Sequence, residues 1–208
     1  MIGKKACLII HGFGGGYFEI EHLAECLKKQ NYIVACPSLE GHTGRRVDMK
    51  GVSYTQWLQS AEDTLLTILD RCDEVYVVGF SMGGLLAMNL CNKYNLKKLV
   101  TINTPIYCWD IKNIFGYLKY DMIHKTTIHL TKYVKSLFKY PMSAIYNFRL
   151  FLYKTKKTIK NVDIATLVIQ AKGDDTVKVK SGKYIVGNNQ RNKYTGFQSL
   201  PTNHVILT

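Results

Sequence analysis

The chain has 208 residues, 47% of them hydrophobic, which suits one domain with a sizeable core and leaves too little length for two large ones. No apolar run approaches the ~20 residues of a membrane-spanning helix, and six cysteines without a single C-x-x-C pair argue against both a disulfide framework and a zinc site. The net charge of +13 is uneven, with residues 106–161 carrying 11 Lys and Arg against two acids.

The first element is the run Lys5 to Ile10, which ends at His11-Gly12. It is too short for the apolar core of a signal peptide and reads as a buried strand, so a cytoplasmic protein is expected. His11-Gly12-Phe13-Gly14-Gly15-Gly16 follows as a loop whose glycines let the backbone turn tightly and approach a ligand. The competing reading of such a loop is phosphate binding. That reading fails on the missing G-K-[ST] ending and on the missing last glycine of G-x-G-x-x-G.

A helix-like segment from Phe18 to Gln30 leads to a second strand, Tyr32 to Cys36, and to the loop Pro37 to His42. Ser53 to Leu69 is again helical in its spacing, and Val75 to Val78 is a third strand. Gly79-Phe80-Ser81-Met82-Gly83 comes directly after that strand, and the helix-like Met82 to Tyr94 follows at once. Strand, sharp turn with a serine, then helix is the setting in which G-x-S-x-G carries a nucleophile. Further strands are Lys97 to Ile102, Ile164 to Gln170 and Tyr194 to Leu200, with a last helix at about Thr176 to Val186. Strands that are apolar throughout, separated by amphipathic helices, predict an α/β fold with a mostly parallel sheet covered on both faces.

The basic stretch interrupts this alternation. It holds 12 of the 24 aromatic residues, and Ile123, Ile128, Leu130, Tyr133, Val134, Leu137 and Phe138 recur at helical spacing. Two or three helices broken at Tyr140-Pro141 are expected, inserted over the carboxyl ends of the strands. This divides the chain into a core of residues 1–104 and 162–208 and a helical cap of residues 105–161. The cap's apolar residues suit an acyl pocket, and its lysines suit water or an anionic membrane surface. Nucleic acid is not an expected partner, because the lysines form no concentrated stripe.

A serine nucleophile needs a base, a carboxylate to orient the base, and donors for an oxyanion. His204, just past the last strand, is the base candidate. His22, His124 and His129 read as surface or packing residues, and His42 sits in a glycine-bounded loop. The carboxylate is Asp174 or Asp175, past the strand ending at Gln170; Asp175 fits the helix N-cap ahead of Thr176-Val177, which leaves Asp174 as the orienting acid. The amides of Phe13 and Met82 are the expected oxyanion donors, with His11 supporting the loop.

These blocks together resemble the α/β-hydrolase superfamily, and within it the small bacterial carboxylesterases related to monoacylglycerol lipases. His11-Gly12-Phe13-Gly14-Gly15 resembles their oxyanion loop, Pro37-Ser38-Leu39-Glu40-Gly41-His42 their loop after the second strand, and Gly79 to Gly84 their nucleophile elbow. Gln170-Ala171-Lys172-Gly173-Asp174 resembles their acid loop in a register that favours Asp174, and Asn203-His204-Val205 their histidine loop. The resemblance implies an α/β-hydrolase fold of about six strands with a cap. It implies a serine esterase acting on short- to medium-chain acyl esters through Ser81, Asp174 and His204, without metal or organic cofactor. A thioesterase or amidase on the same triad, or a non-catalytic binding protein on the same fold, is the alternative. The chain departs from the family in ending four residues past His204, where members usually continue into a final helix, so either the helix is absent or the natural protein is longer; caps also vary across the family, so the cap here carries over no substrate identity. Without such a helix, apolar sheet surface would be exposed and the loop carrying His204 loosened.

Overall fold

The computed structural model describes residues 4–107, 140–174, 176–189 and 195–201. They form a six-stranded sheet of β1 (Lys5–Ile10), β2 (Ile33–Ala35), β3 (Glu74–Phe80), β4 (Lys98–Ile102), β5 (Thr166–Ala171) and β6 (Thr195–Leu200). The order is β2-β1-β3-β4-β5-β6, and every adjacent pair is parallel. Five helices accompany it among the described residues: α1 (Glu21–Lys29), α2 (Tyr54–Leu69), α3 (Met82–Cys91), α4 (Met142–Thr158) and α5 (Lys180–Asn188).

Period-two alternation explains why the strands read as apolar throughout. Ala6, Leu8 and Ile10 of β1 enter one core with Trp57, Leu65 and Leu86, while Cys7 and Ile9 enter a second core with Ile20 and Ala24. Both faces of the strand are therefore buried, as in other sheets covered by helices on each side. Helix α3 lies in the larger core and is buried on nearly every side, so it shows no polar face. Helix α2 is amphipathic, with Trp57, Ala61, Leu65 and Ile68 facing inward. It starts at a reciprocal capping box: Ser53 accepts from the Gln56 amide, and the Gln56 side chain accepts from the Ser53 amide at 3.0 Å.

Helix α4 starts directly after Tyr140-Pro141, with Pro141 at its N-cap position. This helix packs against both α2 and α3 and sends Ala144 and Phe151 into the same core as the sheet. Phe151 stacks on Tyr54 with ring centroids 5.4 Å apart, and Asn89 of α3 donates to Thr155 of α4 at 2.8 Å. The remainder of the expected cap, residues 108–139 with His124 and His129, lies outside the described residues. The last helix differs from expectation. It begins at Lys180 rather than near Thr176, because the Thr176 and Val177 amides donate to Asp174 and the Lys178 amide donates to Tyr107 O at 3.1 Å. Those residues are held in a turn, and the helix starts after it.

The described cysteines are all free, and burial pushes the thiols of Cys7 and Cys91 up to about 12. Among the described residues no helix is long and apolar enough to cross a membrane.

Candidate active site

The strand order fixes where a site can form. From β1 the chain goes to β2 on one side and then crosses to β3 on the other, so the crevice between β1 and β3 is the switch point where open parallel sheets bind ligands. Ile10 pairs with Gly79, so the loops leaving β1 and β3 emerge side by side. One is the glycine-rich loop and the other carries Ser81.

Ser81 sits between β3 and α3 at φ 51°, ψ −120°, a sparsely populated conformation for a residue with a side chain. Its amide donates to Ile102 O at 2.8 Å, and its carbonyl accepts from the Gly84 amide at 3.0 Å. These bonds hold the strained turn from the β4 side and from the helix side. The glycines around it are set by close approach. A Cβ on Gly79 would lie 2.4 Å from the Gly83 backbone, one on Gly83 would lie 2.1 Å from Ile10 O, and one on Gly84 would lie 1.8 Å from Thr104 Oγ1. The helix start is thereby pressed onto β1, beside the glycine-rich loop.

In that loop, a Cβ on Gly12 would lie 3.2 Å from Ser81 Cβ. The loop therefore lies against Ser81. The Met82 amide, at the first position of α3, belongs to the orphan donors of a helix start. The Phe13 amide takes no acceptor among the described residues. Around the loop, His11 Nδ1 donates to Gly12 O at 2.9 Å and Gly15 N donates to the same carbonyl at 3.3 Å. The Gly12 amide donates to Glu19 Oε2 at 2.9 Å. Gly14 has φ +66°, and a Cβ there would lie 2.1 Å from the Tyr140 ring. The Phe13 ring packs against Tyr140, Phe148 and Trp57 at centroid distances of 4.8, 5.2 and 5.7 Å, an aromatic wall beside the expected oxyanion site.

His11 is 2% exposed, and burial pulls its imidazole down to about 4 against the opposing bond to Gly12 O, with His42 nearby lowering it further. It is neutral at physiological pH and serves as a donor to the loop backbone. His42 is also buried, its ring 5.3 Å from that of His11, and burial lowers its pKa too. Within its glycine-bounded loop, His42 packs against the rings of Phe13 and Trp57. His22 lies on exposed α1 surface near Cys26, in keeping with a surface role.

Asp174 follows β5 at the same end of the sheet. Its Oδ1 accepts from the amides of Thr176 and Val177, each at 2.8 Å. Asp174 thus closes the turn ahead of α5, whose N-cap residue is Val179, and Asp175 lies outside the described residues. The acid loop is tied to both neighbours. Lys172 N donates to Leu200 O at 2.7 Å, joining it to the end of β6, and Asn103 Oδ1 accepts from Ala171 N at 2.7 Å. Asn103 is fully buried at φ 47° and was not singled out by sequence reasoning, nor was Glu19. His204, four positions beyond Leu200, lies outside the described residues, so Ser81, Phe13, Met82 and Asp174 are the expected site residues whose placement is described. Among the described residues no three His, Cys, Asp or Glu side chains group as a metal site.

Comparison with known proteins agrees with this architecture. Over 105 residues the chain is 32% identical to the thermostable monoacylglycerol lipase of Bacillus sp. (strain H-257), a match spanning 50% of this chain and 42% of that lipase. It is 21% identical over 190 residues to a carboxylesterase of Bacillus subtilis (strain 168), covering 88% of this chain and 77% of the relative. A solved structure from the metagenome-derived lipolytic enzymes LipS and LipT superposes with a TM-score of 0.79 at 19% identity, covering 98% of this chain and 87% of the other. Residues 7–150 match the model of the alpha/beta hydrolase family, and with a parallel sheet, a serine elbow and a facing glycine loop in the matching order, the chain belongs to that family.

Proposed function

We propose that the protein is a serine carboxylester hydrolase acting on short- to medium-chain acyl esters. The observation that carries this reading is Ser81, held at φ 51° on the strand-to-helix turn with the Gly12 backbone against its Cβ. That geometry sets a half-buried Ser81 beside the glycine-rich loop and the start of α3, an arrangement suited to acyl transfer. The likeness to a lipase and a carboxylesterase supports the ester as substrate class. The aromatic wall of Phe13, Tyr140 and Phe148 supports an apolar acyl group beside it.

In this reading Ser81 Oγ attacks the ester carbonyl while His204 takes its proton. Asp174 holds the imidazole in the useful tautomer and stabilises the imidazolium. The amides of Phe13 and Met82 bind the oxyanion of the tetrahedral intermediate. The alcohol leaves with the proton from His204, and a water deprotonated by the same histidine then releases the acid from Ser81. The chemistry needs neither a metal nor an organic cofactor.

The test is a burst assay on p-nitrophenyl esters of rising chain length, with matched thioester and amide substrates beside them. Ser81→Ala should abolish the burst and labelling by a fluorophosphonate while far-UV circular dichroism stays unchanged. Retained turnover in Ser81→Ala would overturn the assignment. Faster turnover of the thioester would move the substrate class and keep the nucleophile.

A further inference from the structure

A glycine-rich oxyanion loop has a physical weakness: its backbone has the most conformational freedom of any sequence, yet catalysis needs its donor held still. The bonds that restrain this loop are therefore part of the site. Two of them converge on the Gly12 carbonyl, from His11 Nδ1 and Gly15 N. The amide of Gly12 has a different partner, the Glu19 carboxylate, seven residues further along.

Glu19 comes from the short 3₁₀ turn Tyr17–Glu19, and its own amide donates to Gly16 O at 3.1 Å. From there its side chain folds back under the loop. It fills the space that a side chain at Gly15 would need, with Oε2 only 1.9 Å and Cδ 2.2 Å from the position of a Gly15 Cβ. The same Oε2 lies 3.2 Å from the position of a Gly12 Cβ, as does Ser81 Cβ. The carboxylate thus packs against the loop on the side bordering the nucleophile. A carboxylate accepting a backbone N–H is a charge-assisted bond, stronger than the neutral contacts usual in loops.

Building on the esterase reading above, we propose that Glu19 is a positioning residue for the oxyanion hole. By taking the Gly12 amide it fixes the rotation of the loop backbone, and so aims the next amide, that of Phe13, at the carbonyl oxygen under attack. Glu19 touches no substrate and transfers no proton. Its acceptor oxygen orients the peptide; the charge strengthens the bond without setting its direction.

The proposal separates two variants. Glu19→Gln keeps an acceptor oxygen of the same reach, and Glu19→Ala removes it. Glu19→Ala is expected to lower kcat roughly 10- to 100-fold with KM nearly unchanged, the loss typical of a misplacement on the ångström scale. Its affinity for a trifluoromethyl ketone, whose adduct places an oxyanion in the same hole, should fall in parallel. Glu19→Gln should stay within about threefold of wild type on both counts, since a neutral acceptor still holds the peptide. Hydrogen exchange followed by mass spectrometry reads the loop independently of activity: exchange across residues 11–16 should quicken in Glu19→Ala and stay near wild type in Glu19→Gln. Unchanged exchange in Glu19→Ala, equal kcat losses in both variants, or a loss confined to KM would each overturn the proposal. A wild-type protein inert to every ester and to the fluorophosphonate would instead defeat the esterase reading, and the exchange result would still judge the restraint itself.

Discussion

The buried imidazole of His11 makes stability depend on pH in a defined direction. In the unfolded chain it titrates near 6.5, and in the folded protein near 4. The folded pKa is depressed, so protons bind the unfolded state more readily between these values. Stability from this residue is complete above pH 6.5 and is lost as pH falls from there toward 4. Integrating the two titrations gives a loss of about 2 kcal/mol between pH 7 and pH 5, levelling off at about 3 kcal/mol below pH 4. For a chain of this length the first figure corresponds to a fall in Tm of about 5 °C. Urea titrations of wild type and His11→Asn at both pH values, followed by tryptophan fluorescence, isolate the share of His11. Titrating groups distant from His11 contribute alike to both proteins and cancel, and a shared His42→Asn background removes the imidazole coupled to it. Wild type should lose about 2 kcal/mol more than His11→Asn on moving to pH 5. An equal loss in the two proteins would refute the argument that burial holds His11 neutral.

Two other outcomes follow from the site geometry. Ser81→Gly removes the nucleophile but also the backbone strain at φ 51°, so it should be inactive and about 1 kcal/mol more stable than Ser81→Ala, read as thermal midpoints; no difference would mean that the turn is unstrained. Asp174→Asn keeps an oxygen for the Thr176 and Val177 amides and removes the charge. It should fold with nearly wild-type stability and lose at least ~100-fold in kcat, as expected when the group orienting a catalytic histidine becomes an amide, whereas Asp174→Ala should lose stability as well. Wild-type kcat in Asp174→Asn would reduce Asp174 to a turn residue and pass the orienting role to Asp175.

The parallel sheet was legible because its central strands are buried on both faces, which leaves continuous apolar runs such as Ala6 to Ile10 with no polar interruption. The elbow was legible because close backbone approach demands glycine at fixed offsets from Ser81. Less legible was anything decided by a side chain reaching back onto the main chain. Asp174 accepts from the amides of the following turn, and α5 starts after that turn, at Lys180. Glu19 looks like an ordinary acid ahead of an amphipathic helix; only its packing into the space that a side chain at Gly15 would need sets it apart, and such packing has no signature in a string of letters. Asn103 is similar. Its left-handed backbone and its bond to Ala171 join β4 to β5 near the acid loop, yet it follows a strand where asparagine is commonplace. Helix α4 falls within the stretch that composition sets apart as a cap, but Phe151 and Ala144 lie in the main core, because a basic sequence can present lysines outward and aromatics inward on one helix.

The elbow's glycines answer to different neighbours, and this limits how the motif can be engineered. Gly79, on β3, is required by the first turn of α3, Gly83 by a carbonyl on strand β1, and Gly84 by a threonine beyond β4. Grafting the five residues from Gly79 to Gly83 onto another scaffold would carry only the first of these constraints. The portable unit is the pair of flanking strands with Thr104 attached, and a designed host lacking them would relax the turn and swing the hydroxyl away from its loop.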